Sequence, residues 1–378
     1  MREWTVKRWN DMSNSSCTDI REYLWNQRSD VTLLPLTRIL FGLLYTTIIA
    51  CGVTGNTLVV LAVLSNKSLQ SVRNIFIVSL SVSDIVVCIV SGTITPITAF
   101  SKTWLFGSHL CYMVPLIQGT SLCFSTFTLM AIAIDRFILI IFPTRTPLQR
   151  LHALPMVLLN CIVAFLVSLP MFLRYKLEDL KKFGDFCGKI CNEVWDENGS
   201  GLLDNRSAYG TLVLVLQFGI PLLVIGFCYS MISLRIGQGV LLRKINKSSS
   251  SEVMSEQRRN TLRRRSRTNR MLIVMVGVFV CSWTPTVTFN FLRDHDLLPS
   301  FVAAQDYLYG LITHCISIMS TVWNPILYAL LNEQFRVAFK GLLQTMRGKK
   351  TRTDHRCSRL VSTAYMEHKA SFIKKSSV

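Results

Sequence analysis

Seven stretches of this chain carry almost no formal charge, and nothing else in it restricts the fold so strongly. Residues 39–64, 103–134, 151–173, 207–234, 271–292 and 307–332 contain no Asp, Glu, Lys or Arg, and 74–101 contains only Asp84. Each is at least as long as the roughly 20 residues a helix needs to cross a bilayer. Only 17% of the 378 residues are charged, against about 25% in soluble domains, so the stretches are not chance gaps in a polar sequence. Inside hydrocarbon each backbone N–H and C=O must find a partner within the chain, and a helix does this segment by segment. The expected fold class is an all-α membrane protein, a seven-transmembrane helix bundle with a short amphipathic helix after span 7.

Lys and Arg set the expected orientation. They concentrate in 64–73, 135–150, 235–270 and the C-terminal tail. That face is expected in the cytoplasm and the N-terminus outside, as in a multi-pass plasma-membrane protein. The net charge of +19 therefore gathers beside anionic inner-leaflet lipid and intracellular partners; nucleic acid is not an expected partner. Residues 1–30 are polar and lack the apolar core of a cleavable signal, so the first span is expected to direct insertion.

The chain divides into an extracellular tail (1–38), the bundle (39–332), a membrane-surface helix (333–347) and a disordered cytoplasmic tail (348–378). Phe335, Phe339 and Leu342 fall on one helical face, with Arg336, Lys340 and Arg347 largely opposite, as in a helix lying on lipid. The 235–270 connection is Ser-rich at 248–251 and Arg-rich at its end, where it is expected to extend span 6. Cys357 is a candidate for palmitoylation. Sequons at Asn14, Asn198 and Asn205 lie on the expected outer face; those at Asn66 and Asn246 fall inside. Cys17, Cys111, Cys187 and Cys191 sit on the oxidising side. A bridge from Cys111 to Cys187 or Cys191 would pin the second outer loop, and the sequence alone does not choose.

Span 7 ends in Asn324-Pro325-Ile326-Leu327-Tyr328. Pro325 removes a helical hydrogen bond and frees a carbonyl, which Asn324 is expected to help satisfy. Tyr328 stands one turn on, where a phenol has alternative packing sites. An ordinary proline kink is the plainer reading of this pentad taken alone. Asp84 is an ionisable group within the membrane and so a functional candidate; a hydrogen-bonded or protonated structural Asp is the alternative.

With these marks stand Gly55-Asn56 in span 1, Ser79-Leu80-x-x-x-Asp84 in span 2, Cys111 opening span 3 and Asp135-Arg136-Phe137 closing it. Pro221 and Tyr229 follow in span 5 and Trp283-Thr284-Pro285 in span 6. In this order, over roughly residues 35–345, the chain resembles the rhodopsin-like (class A) G-protein-coupled receptors. The resemblance implies a sodium ion held by Asp84, Ser125, Thr321 and Asn324. It implies a switch in which Asp135 restrains Arg136 until a partner helix or Tyr229 receives it. It also implies a Trp283–Pro285 hinge coupling ligand contact to bending of span 6. Heterotrimeric G proteins, arrestin and receptor kinases are the implied partners. Three departures stand out. Phe137 replaces the usual tyrosine. Asn160 stands where span 4 usually carries a tryptophan. Thr126 replaces an aliphatic residue beneath the ligand site.

Gln118 occupies the span 3 position where amine receptors carry an aspartate, so an amine ligand is not expected. Cys191-Asn192-Glu193-Val194-Trp195 resembles the C-x-E-x-W of the neuropeptide Y/neuropeptide F receptor group. That resemblance pairs Cys111 with Cys191 and leaves Cys187 free or paired with Cys17. It implies ligand contacts at Thr95, Gln118, Asn290, Asp294 and His314. Asp294 would pair bidentately with the arginine of an Arg-Phe-amide or Arg-Tyr-amide peptide, and Gln118 and Thr95 would meet the amidated end. Asp294 as a solvated loop-edge carboxylate and His314 as a helix-packing residue are the plainer readings. A tachykinin-like ligand is the alternative within the family. A transporter is the alternative outside it, disfavoured by one lone intramembrane acid and no repeat. No metal cluster, nucleophile triad or phosphate loop points to an enzyme.

Overall fold

The computed structural model describes residues 17–142, 150–195, 205–245 and 252–346. Seven of its helices are long and apolar enough to cross a membrane: Pro35–Ser65, Val72–Ser101, Gly107–Ile141, His152–Arg174, Arg206–Gln238, Asn269–Asp294 and Asp306–Leu331, here spans 1 to 7. The helix of span 6 begins further back, at Glu252, and takes in the Arg-rich run from Arg258. A last helix, Glu333–Met346, follows span 7. The tail at 348–378, Cys357, Asn14, Asn198 and the 248–251 serines lie outside the described residues.

Span 1 starts earlier than its uncharged stretch does. Pro35 opens it, a position where a missing N–H costs nothing. Arg38 fits the first turn because its guanidinium reaches back to the carbonyls of Thr32 (3.4 Å) and Phe100 (3.5 Å). The bundle core lies toward the Arg136 end. Leu80, Leu129, Ile132, Met275, Tyr328 and Phe335 are all buried there in one cluster, so the last helix is docked through Phe335 as well as following span 7 in sequence.

Spans 1, 2 and 7 approach closely because span 1 presents glycines. A Cβ on Gly55 would come within 2.9 Å of the Pro325 ring, and one on Gly52 within 2.6 Å of Cys88 Sγ. Small residues let membrane helices pack backbone to backbone. This contact also corrects one expectation. The carbonyl that Pro325 leaves free is that of Thr321, one turn back. It accepts from Asn56 Nδ2 of span 1 at 2.9 Å, whereas Asn324 donates to Asp84 instead.

In span 5 the helix widens to a π turn at Val215–Gly219 just before Pro221, the kind of local adjustment that accommodates a helix proline. Buried Gln217 within that turn donates to the Gly119 carbonyl of span 3 at 3.2 Å.

Between spans 4 and 5 the chain forms a hairpin, β1 (Tyr175–Asp179) antiparallel to β2 (Lys189–Glu193), with Leu177 opposite Cys191. Residues 17–34, expected as part of a polar tail, are folded against this hairpin and the ends of spans 2 and 7. Asp19 caps a helix over Ile20–Arg28 by accepting from Arg21 N. Cys17 is disulfide-bonded to Cys187. Asp30 and Lys102 form an ion pair at 2.6 Å with side chains 6% and 0% exposed. Lys102 ends span 2 in left-handed backbone, φ 60°, a geometry that costs a residue with a side chain about 1–2 kcal/mol. A glycine there would cost less and would lack the ammonium that reaches Asp30, Thr32 Oγ1 (2.7 Å) and the Tyr307 ring (3.5 Å).

Burial raises the Asp30 carboxyl, but hydrogen bonds from Lys102 and Thr32 outweigh it and hold the group below its ordinary value. A depressed carboxylate contributes stability above its unfolded pKa and loses it as pH falls through the lowered value. The clamp is therefore expected to hold at neutral pH and to open only below the ordinary carboxylate range. Removing one partner, as in D30N or K102M, leaves a buried charge and should cost about 3–5 kcal/mol. The double replacement D30L/K102M should recover most of it. Thermal unfolding with hydrogen exchange over 17–34 measures both; equal losses in the single and double variants would contradict a charge-pair clamp.

Candidate ligand and switch sites

Two disulfides fix the hairpin. Cys191 of β2 is bonded to Cys111 at the start of span 3, with Cα atoms 5.6 Å apart, and Cys187 is taken by Cys17 and so is not free. Beyond Cys191, Glu193 is carried to the mouth of the bundle. There it meets Arg206 at the start of span 5 and Arg293 and Asp294 at the end of span 6. Arg206 Nε lies 3.0 Å from Asp294 Oδ1 and 3.3 Å from Glu193 Oε2. Arg293 stands 3.5 Å from Asp294 and 3.8 Å from Glu193. Glu193 also accepts from Tyr175 Oη at 2.8 Å and Trp195 Nε1 at 3.1 Å. Burial, then the Glu193 charge, keeps the Tyr175 phenol protonated well above its ordinary range, so it stays a donor. The Asp294 side chain is only 14% exposed. It is a half-buried member of a two-acid, two-base cluster rather than a solvated loop-edge carboxylate.

Asn290 lies one turn below Asp294 and is exposed. Thr95 is half-buried on span 2, one turn beyond Ser91. Gln118 and His314 belong to a polar relay across four spans. Ser91 Oγ donates to Gln118 Oε1 at 3.0 Å and contacts His314 Nε2 at 3.0 Å. A hydroxyl has one proton, so the imidazole is the donor in the second contact. Its Nδ1 lies 2.8 Å from Tyr45 Oη, which also donates to the Leu311 carbonyl at 3.2 Å. His314 is 5% exposed with both ring nitrogens engaged, so its reach toward a ligand passes through Ser91 and Gln118. A surface groove of about 370 Å³ lined by Trp25, Leu34 and Arg38 among others contains none of these residues.

Deeper, Asp84 is 6% exposed and accepts from Asn324 Nδ2 at 2.8 Å. Ser125 of span 3 is also buried. Thr321 donates to the Ile318 carbonyl at 2.8 Å and faces Cys88 Sγ at 3.1 Å. A carboxylate, hydroxyls and a carboxamide are the hard oxygen donors that small cations take, and this donor set fits sodium. Thr321 is the member already committed elsewhere.

At the other end Arg136 is ion-paired with Asp135, and its Nε is buried without a hydrogen-bond partner among the described residues. Phe137 packs on Phe227 of span 5, ring centroids 5.8 Å apart, so the departure at this position keeps an aromatic contact. Tyr229 is buried in the same core. Trp283 stacks toward Phe279 at 6.1 Å, and Phe279 toward Phe218 at 6.5 Å, linking Pro285 of span 6 to span 5. The Trp283 Nε1 and Tyr328 Oη atoms are buried and unpartnered among the described residues. Tyr328 stacks on Phe335 at 5.4 Å. Thr126 satisfies its hydroxyl on the carbonyls of Leu122 (3.1 Å) and Cys123 (2.9 Å). Asn160 leaves Nδ2 buried and unpartnered among the described residues. Sequence reasoning missed Arg206, Arg293 and Tyr175 as members of the mouth cluster; their signal was position, charged or phenolic groups at the very ends of spans.

Known proteins resemble this chain over most of its length. The family model described as 7 transmembrane receptor (rhodopsin family) matches residues 55–328. "Neuropeptide receptor npr-1" of Caenorhabditis elegans is 33% identical over 359 residues, covering 86% of this chain and 77% of that protein. "Neuropeptide Y receptor type 6" of Oryctolagus cuniculus is 31% identical over 311 residues, 80% of this chain and 79% of that one. "Neuropeptide F receptor" of Drosophila melanogaster is 30% identical over 309 residues, 79% of this chain and 61% of that one.

Proposed function

The chain belongs to the rhodopsin family of seven-transmembrane receptors, and on that premise we propose that its ligand is a neuropeptide ending in Arg-Phe-amide or Arg-Tyr-amide and that it signals through heterotrimeric G proteins. It is a multi-pass membrane receptor of the peptide type, not an enzyme. One observation supports the ligand chemistry most directly. Asp294, half-buried at the mouth, already has a guanidinium at 3.0 Å, so the site suits that group. A ligand arginine would take Asp294, and Asn290 one turn below would add a neutral hydrogen bond. The amidated end would lie deeper, at Gln118 and Thr95. In this reading the disulfide-bearing face and N-terminus are extracellular and the Arg136 face meets plasma-membrane inner leaflet, G protein, receptor kinases and arrestin. Asn205 would carry a glycan on Nδ2, the amide nitrogen to which N-glycans attach, while its Oδ1 caps span 5 by accepting from Ala208 N.

Activation in this reading is a population shift. Agonist contacts favour bending of span 6 at Pro285 through Trp283 and Phe279, and release of Arg136 from Asp135 offers its donors to a G-protein helix. Asp84, Ser125, Thr321 and Asn324 would hold sodium, which supplies a compensating positive charge to the buried carboxylate. A ligand that binds only the folded state raises its melting temperature. Sodium is thus expected to raise the melting temperature of the wild-type protein and leave D84N unchanged; equal shifts in both would remove the ion from this site.

The arginine pairing is tested with D294N and two amidated peptides that differ only in arginine or citrulline. A charged hydrogen-bonded pair is worth about 1.5–3 kcal/mol, so D294N should weaken the arginine peptide about 10- to 100-fold and bring it level with the citrulline one. Unchanged discrimination in D294N would refute the assignment.

A further inference from the structure

We propose that Arg206 is an intramolecular stand-in for the ligand arginine, a latch that occupies Asp294 until peptide displaces it. The inference rests on the reading of Asp294 above. Arg206 stands between two carboxylates, 3.0 Å from Asp294 Oδ1 and 3.3 Å from Glu193 Oε2. Its Nε is nevertheless buried without a hydrogen bond of acceptable geometry among the described residues, and its side chain is 36% exposed. The pair is therefore Coulombic and poorly aligned, while a free guanidinium arriving along the mouth could engage the carboxylate with two parallel bonds. Displacement strands no charge, because Arg206 keeps Glu193 as its partner.

The latch also ties three elements. Arg206 begins span 5, Asp294 ends the helix of span 6, and Glu193 ends β2, which the Cys111–Cys191 disulfide fastens to span 3. Spans 5 and 6 are drawn close enough here that a Cβ on Gly210 would sit 2.9 Å from Asp294 Oδ2. Ser207 donates to the Asp294 carbonyl and Thr211 Oγ1 lies 3.0 Å from His295 Nε2. Exchange of Arg206 for a ligand guanidinium removes the charge bridge between spans 5 and 6, while leaving Arg293 of span 6 at 3.8 Å from Glu193 of the hairpin and these neutral contacts. A resident competitor reduces apparent affinity by the fraction of time it occupies the site.

The test is G-protein nucleotide exchange in membranes holding the full chain, with an Arg-Phe-amide peptide and its citrulline counterpart, on wild type, R206Q, R206K and D294N matched for surface amount. Loss of a partly exposed competing ion pair, worth about 1 kcal/mol at most, should shift the R206Q curve for the arginine peptide to about fivefold lower concentration. The citrulline curve should not move. R206K, with the charge but no planar fork, should fall between, and it stands in if R206Q does not reach the surface. No shift or a rightward shift in R206Q, while D294N still loses arginine discrimination, would overturn the latch and leave the ligand reading standing. Absence of arginine discrimination in the wild type, or its persistence in D294N, would overturn the ligand reading and the latch with it.

Discussion

The carbonyl of Thr321 has lost its helical partner to Pro325, and Asn56 of span 1 takes that place at 2.9 Å. Much of the bundle is organised around this one hydrogen bond. Hydrocarbon offers no water to a freed carbonyl, so a proline can stand inside span 7 only if a neighbour supplies a donor. Asn56 is close enough because Gly52 and Gly55 leave no side chain between span 1 and its neighbours. With that carbonyl satisfied, Asn324 is released to hold Asp84, and the kinked end of span 7 presents Tyr328 to Phe335 of the last helix. A glycine pair, an asparagine and a proline thus form one device.

The same accounting explains where polarity is allowed. Some buried polar side chains within the spans form connected sets, such as Tyr45, His314, Ser91 and Gln118; others have atoms unpartnered among the described residues, among them Trp283 Nε1 and Tyr328 Oη beside the span 6 and span 7 prolines and Ser81 Oγ and Asn160 Nδ2 elsewhere. Unpaired polar atoms in a core are costly and mark places where a second arrangement gains a bond. Apart from Asp84, full charges sit at the rims. At the mouth two acids and two bases neutralise one another. At the far end Arg136 has Asp135. An account in which peptide rearranges the first set and a G protein receives Arg136 uses only charges already held by exchangeable partners.

Much of this was legible in the sequence. The seven uncharged stretches mark the spans because desolvating charge is costly, and the ordered motifs mark which helix is which. The Cys111–Cys191 bridge came from the C-x-E-x-W pattern, not from spacing. What stayed hidden were contacts between residues far apart in sequence. Nothing in a polar tail announces that Asp30 will bury against Lys102, and a lysine in left-handed backbone is not written in composition. Arg206 and Arg293 read as ordinary span-end charges until the hairpin brings Glu193 between them. Asn324 was assigned to the freed carbonyl because it is adjacent in the chain; Asn56, distant in sequence, is the donor with the geometry.

The central claim is that this receptor responds to a peptide through its amidated Arg-Phe or Arg-Tyr end. The most direct measurement is G-protein activation in cells expressing the chain, across Arg-Phe-amide and Arg-Tyr-amide peptides, each beside its free-acid form. The account predicts activation by amidated members that is lost with the free acid. Robust surface expression with no response to any of them, or equal responses to acid and amide, would contradict it.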